Sequence, residues 1–339
     1  MKFTPVQKAF LALIVANIIW GAASPIFKLS LQNIPPFTLA FWRFFGAAIL
    51  LLIFLRAKVS LTLTARKDFI DFVGFALSGI TVNIIFFFLG LQLTHAINAP
   101  VIASAAPIMT LFFALLFLRE KFHWKKFLGM VLGSLGILIV IIEPILATGI
   151  DGSIVGNIYL VIATLGAVGG TIFGRNLLHK YPNQALIFAF WAFIIGAASF
   201  LPLAVWEYLQ HPTLYQILDW RGWLGLGFGI ILSSAVAYAL FVWALSKISA
   251  TDAAMFTYID PIAGSVLSVL ILKEPITGPF LLGTLFIFGG IWVAEGRLHY
   301  HPFHKLKSFT EAPLAIEKTE VKPKPVSRSA VLTKLFRSK

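Results

Sequence analysis

The succession of long apolar runs constrains this chain more than any other feature. Ten of them occupy 9–28, 36–55, 69–92, 97–118, 127–145, 153–174, 184–206, 222–245, 251–272 and 278–296. A helix rises about 1.5 Å per residue, so about 20 apolar residues cross a hydrocarbon core of about 30 Å. Only 12% of the 339 residues are charged, against about 25% in a soluble domain. A chain with so few charges cannot cover itself in water. The expected fold class is an all-α membrane protein of ten transmembrane helices, with the lipid bilayer as its surroundings. The first run follows Lys2 and Lys8 and contains "GAAS", the outline of a cleavable leader. It is read as a retained helix because it has a counterpart later in the chain.

The formal net charge is +13, which raises the question of a nucleic-acid partner. The placement of the charge answers it. Basic residues sit in short connections and in the tail, where they record orientation. With the N-terminus in the cytoplasm, the inner connections and N-terminal segment hold thirteen Lys/Arg and the outer connections three, Lys28, Arg221 and Lys273. Both termini are therefore expected inside, and no nucleic acid is expected. The chain has no cysteine, which excludes disulfides, thiolate catalysis and Cys-based zinc sites.

A repeat organises the runs. "APIMTLFFALLFLREK" (106–121) and "DPIAGSVLSVLILKEP" (260–275) share an outline: Pro107 to Glu120 and Pro261 to Glu274 are both thirteen residues apart. Gly129 and Gly136 follow the first phrase as Gly283 and Gly290 follow the second. "AFWRF" (40–44) matches "AFWAF" (189–193), and at that offset Gly21 falls on Gly170. Two five-helix units, 1–146 and 147–296, are expected. An odd number of crossings per unit inserts the second upside down, and inverted repeats are the mark of secondary transporters with a site near the midplane. Residues 297–339, polar and basic with "KPKP", read as a disordered cytoplasmic tail.

Asp260 is the sharpest site signal. It lies nine residues into the ninth run, near mid-membrane, where a carboxylate must be protonated, paired or hydrated. Either it serves coupling or substrate binding, or it is protonated glue between helices. Ala106 takes its place in the first copy of the phrase, so the acid is not part of the shared scaffold. Pro261 frees a carbonyl one turn earlier, and Pro25 is expected to bend the end of the first helix. Pro107, Glu120 and Glu274 read as hinge or structural positions. Each glutamate is placed to cap the next helix or to pair with Arg119 or Lys273 beside it. Trp20, Asn83, Ser233, Ser234, Tyr238 and Tyr258 supply amide, hydroxyl, phenol and indole groups inside the membrane. Each can contact a solute or pack between helices; as a set they suggest a central cavity. Arg43 needs an acceptor, found in carbonyls, in helix ends or in Asp260, or it snorkels. The second helix is not expected to face the cavity.

With the doubled Pro–x12–Glu phrase, "WGAASPIFK" (20–28) and "FWRFFGAAIL" (41–50) on the page, the chain resembles the EamA-type transporters of the drug/metabolite transporter superfamily over 9–296. That resemblance implies a cavity lined by helices 1, 3, 4, 6, 8 and 9, with helices 5 and 10 more peripheral. It also implies a small-molecule substrate such as an amino acid, another metabolite or a drug.

No HExxH, nucleophile elbow or GxxxxGK[ST] loop occurs, so no catalytic set, cofactor or metal site is expected. "HYHPFH" (299–304) is read as incidental. The functional expectation is a secondary transporter in a cytoplasmic (inner) membrane. It would work by alternating access, with export of an amino acid or metabolite and protons as the driving ion. The alternatives are an uncoupled facilitator or exchanger of the same fold, or a membrane-embedded enzyme or receptor. Oligomeric state is not readable from the residues.

Overall fold

A computed structural model describes residues 5–106, 109, 124–148, 152–245, 247, 256 and 259–295. Pro107, Glu120, Tyr258 and the tail from 297 onward lie outside the described residues. Among those described there are helices and short turns and no strands.

The helices follow the apolar runs closely. They are α1 (Pro5–Ser30), α2 (Pro36–Phe54), α3 (Arg66–Leu93), α4 (described over Asn98–Ala103), α5 (Trp124–Thr148), α6 (Gly152–Lys180), α7 (Ala185–Gln210), α8 (220–245), α9 (described over Ile259–Leu272) and α10 (Gly278–Glu295). Six of them, α1, α2, α3, α6, α7 and α8, contain stretches long and apolar enough to cross a membrane. The chain is thus a multi-pass membrane protein.

Local chemistry sets the ends. Pro36 occupies the first turn of α2, where its missing N–H costs nothing. Asp219 caps α8 by accepting the Arg221 N–H at 2.8 Å. Pro25, expected to bend α1, lies inside a helix that continues to Ser30.

Two helices change character midway. α3 is π-helical over Leu77–Val82 and α8 over Phe228–Val236. Neither "LSGITV" nor "FGIILSSAV" contains a proline, and the sequence reading did not anticipate either. A π-turn takes in one extra residue per hydrogen-bonded ring and redirects the side chains beyond it.

Packing proceeds through small residues. A Cβ added to Gly170 of α6 would lie 2.5 Å from the Cα of Gly79 in α3. The repeat-matched glycines meet in reciprocal pairs between α5 and α10: Gly136 abuts the Gly283 carbonyl, and Gly290 abuts the Gly129 carbonyl. In lipid, where apolar burial drives little association, such close approach supplies the attraction. Phe27, Phe44, Phe88, Phe193 and Phe200 fill the core between α1, α2, α3 and α7.

Polar ties join helix ends. The Glu207 carboxylate, at the end of α7, accepts the N–H groups of Phe37 and Thr38 at the start of α2, at 3.1 and 2.6 Å. The start of α3 meets the end of α6, where Asp68 accepts from Lys180 at 2.7 Å and from the Tyr181 hydroxyl at 2.6 Å. The start of α8 meets the end of α1, where the Asp219 N–H donates to Asn33 at 2.9 Å. The Lys28 ammonium donates to the carbonyls of Leu91, at 2.8 Å, and Thr94, at the end of α3.

Candidate functional site

The interior of the bundle gathers several of the expected residues around α1. The Trp20 indole N–H donates to the Ser233 carbonyl at 3.0 Å, within the π-helical stretch of α8. Its ring meets Tyr238 edge-on at 5.3 Å, and Tyr238 meets Phe193 at the same distance. Ser233 and Ser234 are fully buried. Trp20, Ser233, Ser234 and Tyr238 therefore come together. Tyr258 lies outside the described residues.

The sequence offers Arg43 carbonyls, helix ends or Asp260 as acceptors, or snorkelling, and holds α2 away from the cavity. The structure gives a different arrangement. Arg43 is 3% exposed. Its Nε donates to Ser234 Oγ at 2.8 Å and its Nη2 to Ser233 Oγ at 3.0 Å. The guanidinium lies over the rings of Phe27 and Phe44, 5.0 and 4.9 Å from their centroids. Stacking and hydroxyl acceptors thus take the place of snorkelling. α2 contributes a charged group directly beside the expected serines.

Asp260 approaches from the other side of Trp20. A Cβ on Gly21 would lie 2.8 Å from the Asp260 carbonyl oxygen and 2.8 Å from Ala263 Cβ. A Cβ on Gly264 would lie 2.9 Å from the Gly21 carbonyl. Two glycines thus let α1 and α9 touch backbone to backbone. Asp260 is half-buried, and its Oδ1 has no hydrogen-bond partner. No ion pair joins Asp260 to Arg43. The described part of α9 begins at Ile259, so the count of nine residues from Thr251 falls outside the described residues. Its depth is read instead from Gly21, in the interior of α1. The backbone of Pro261 continues α9; its side chain lies outside what is described.

Asn83 stands apart from this group. Its amide donates to the Ala163 carbonyl at 2.8 Å, and Ser78 donates to Gly166 at 2.8 Å. Both stitch α3 to α6.

Glu274 differs from expectation in its partner. Lys273 ends α9 at φ 54°, the left-handed region. Glu274 then turns away from the next helix and accepts the N–H groups of Ala96 and Ile97, at 2.8 and 2.9 Å, before α4. The His95 Nδ1 lies 3.7 Å from its Oε1. Burial pushes the Glu274 carboxyl up, but His95 and the two N–H donors outweigh it and the net direction is down. Among the described residues no group of three His, Cys, Asp or Glu is arranged to hold a metal.

Comparison with known proteins identifies the family. The EamA-like transporter family is matched over residues 7–142 and again over 154–295. An uncharacterized transporter of Archaeoglobus fulgidus is 24% identical over 293 residues, covering 86% of this chain and 99% of that protein. The uncharacterized transporter YetK of Bacillus subtilis is 26% identical, covering 84% and 86%. A protein of Escherichia coli named as a probable amino-acid metabolite efflux pump is 23% identical, covering 88% and 98%. One solved crystal structure superposes with a TM-score of 0.58 at 16% identity, over 86% of this chain and 99% of its own, a likeness of fold alone. On these matches, spanning both halves, the chain belongs to the EamA-like transporter family.

Proposed function

We propose that the protein is a secondary transporter that moves a small organic solute across a cytoplasmic (inner) membrane by alternating access. The observation that carries this reading is the polar group around Trp20. Trp20, Ser233, Ser234, Tyr238 and Arg43 meet inside an otherwise apolar bundle, and Asp260 comes in at the neighbouring Gly21. Polar and charged side chains in such surroundings mark solute or ion paths. Export of an amino acid or related metabolite is the first choice, in line with the name of the relative from Escherichia coli. Asp260 is the coupling carboxylate.

Two inverted five-helix units, 1–146 and 147–296, form the moving parts in this reading. The paired π-helical stretches, the reciprocal glycine contacts of α5 and α10, and the end-to-end ties all support it. α2 begins where α7 ends, and α3 begins where α6 ends, as units of opposite direction require. The end carrying Arg56, Lys58, Arg66, Lys67 and Lys180 is the cytoplasmic one, and both termini lie there.

Purified protein in proteoliposomes tests the proposal. A thermal-shift screen over amino acids, polyamines, nucleosides and drugs selects the solute. Asp260→Asn is expected to insert and remain folded, to lose ion-driven accumulation and to keep solute counterflow. Loss of counterflow as well would make Asp260 a substrate ligand, as in an exchanger of cations. Unchanged accumulation would remove the carboxylate from coupling.

A further inference from the structure

We propose that Arg43 and Tyr238 form a subsite for the carboxylate of a monoanionic solute, anchored on the free end of the guanidinium. This rests on the reading of the protein as a transporter of small organic solutes and names the charged group that such a solute carries. The starting observation is a buried positive charge without a counter-charge. Among the described residues Arg43 is the one basic side chain that is buried. It stands seven residues past the start of α2 at Pro36, about 10 Å along the helix. The ion pairs among the described residues join His95 to Glu274, Lys180 to Asp68 and Arg221 to Asp219, and none includes Arg43. A buried charge without compensation is costly. Two aromatic rings and two hydroxyls offset part of that cost and leave the charge in place.

The hydrogen bonds of Arg43 use one edge of its guanidinium. The group is planar and carries five N–H bonds. Nε–H and one N–H of Nη2 lie along the same edge and donate to Ser234 Oγ and Ser233 Oγ. Neither bond involves Nη1, and Nη2 keeps a second N–H. At the tip, one N–H of Nη1 and the remaining N–H of Nη2 run parallel. That is a second fork, of the shape that takes a carboxylate through two hydrogen bonds. Packing fixes where the fork lies. The stem of Arg43 rests on Gly229 of α8, where an added Cβ would lie 3.2 Å from Arg43 Cγ. The guanidinium itself lies over the rings of Phe27 and Phe44. A donor pair held in this way loses little freedom when it binds.

The tip is not walled in. Among the described residues, five buried side-chain atoms without a hydrogen-bond partner are sealed by packing: Asn17 Oδ1, Ser24 Oγ, Thr81 Oγ1, Asp260 Oδ1 and Ser268 Oγ. Arg43 Nη1 and the Tyr238 hydroxyl make no hydrogen bond either, yet neither is sealed in this way. Tyr238 is only half-buried, although its ring sits between Trp20 of α1 and Phe193 of α7. Its phenol is near enough to the guanidinium for the two to interact electrostatically. A cationic fork on α2 and a hydroxyl on α8 are thus neighbours, and both keep donors open inside the bundle.

Charge selects the ligand. One negative charge balances Arg43, whereas a dianion such as a phosphate monoester would leave an excess inside the bilayer. A neutral amide of the same outline accepts a hydrogen bond but leaves the cation uncompensated. A brace that only joins α2 to α8 would not distinguish the acid from its amide.

The test uses the full-length protein in detergent at one pH and constant ionic strength. The probes are acetate, propionate, benzoate and phenylacetate, each compared with its own primary amide by thermal unfolding. At least one carboxylate is expected to give a saturable rise on the order of 5 °C at a hundredfold excess over Kd, with little response to its amide. Tyr238→Phe is expected to stay folded and to need several-fold more of that carboxylate for the same rise. Arg43→Lys keeps the charge but not the fork and is expected to need at least tenfold more. A wild type in which no carboxylate outdoes its amide overturns the subsite, as does an unchanged titration in Arg43→Lys. Should Arg43→Lys fail to fold, an unchanged titration in Tyr238→Phe overturns it. Solute flux in proteoliposomes is scored separately. Flux without any preference for carboxylates over amides sinks the subsite and leaves transport standing. Saturable stabilisation by a carboxylate without flux of any solute supports the subsite and sinks transport.

Discussion

The two π-helical stretches, Leu77–Val82 in α3 and Phe228–Val236 in α8, are held in different ways. In α3, the contacts are small and neutral. Ser78 and Asn83 donate to carbonyls of α6, and Gly79 touches Gly170. In α8, the stretch is gripped from two sides by larger groups. Arg43 of α2 holds the hydroxyls of Ser233 and Ser234, and Trp20 of α1 holds the Ser233 carbonyl. The backbone device is common to both helices, and the charged contact is confined to the stretch in α8, where groups of α1 and α2 reach it. The same division separates Asp260 from Ala106. In the proposed repeat each charge belongs to one copy: Arg43 to the first, where Ala192 is its match, and Asp260 to the second.

The comparison can be broken most severely on the α3 side. Gly170→Leu places a side chain where even a Cβ would lie 2.5 Å from Gly79. The helices must part, and the expected result is loss of monodisperse folded protein after extraction. A second, intermediate effect is expected on the α8 side. Arg43→Met deletes two charge-assisted hydrogen bonds, each worth about 1.5–3 kcal/mol. It also leaves two buried hydroxyls without donors. A fall of at least 10 °C in the unfolding midpoint is expected (about 2–4 °C for each kcal/mol). Arg43→Lys should recover part of it, since an ammonium keeps the charge but not the fork. The smallest change is Ser78→Ala, which removes one interhelical hydrogen bond of about 0.6 kcal/mol. Its midpoint should move by only a degree or two, with solute flux unchanged. A larger loss for Ser78→Ala than for Arg43→Met would reverse the assignment of the stretch in α8 as the more tightly held one.

Much of this architecture is legible in the residues because hydropathy along the chain reports directly on membrane crossing. The starts of α2, α6, α7 and α10 fall within a residue or so of the apolar runs. Asp260 was legible for the same reason: a lone acid in an apolar run is costly wherever the helix goes. The partners were not legible. Arg43 and Ser234 are 191 residues apart, and nothing local in "AFWRF" says which helix it will face. The target of Glu274 was misjudged because a carboxylate after a helix reads most simply as a cap for the following one. Lys273 turns it elsewhere through a left-handed backbone that a lysine does not advertise. The π-helical stretches have no proline and no distinctive composition. Their contacts come from other helices, α6 for the first and α1 and α2 for the second.

The reach of Glu207 and Glu274 has a consequence for how the chain is made. Glu207 completes the start of α2 across 169 residues of sequence, and Glu274 serves the N–H groups ahead of α4 across 178. A ribosome delivers the recipients long before the donors of charge. During synthesis, the first half therefore waits in the bilayer with exposed amide groups at two helix starts, and water or lipid headgroups must serve them. Only when the second half arrives do those positions close. The halves are thus chemically unfinished as separate pieces, and completing one is part of the work of inserting the other.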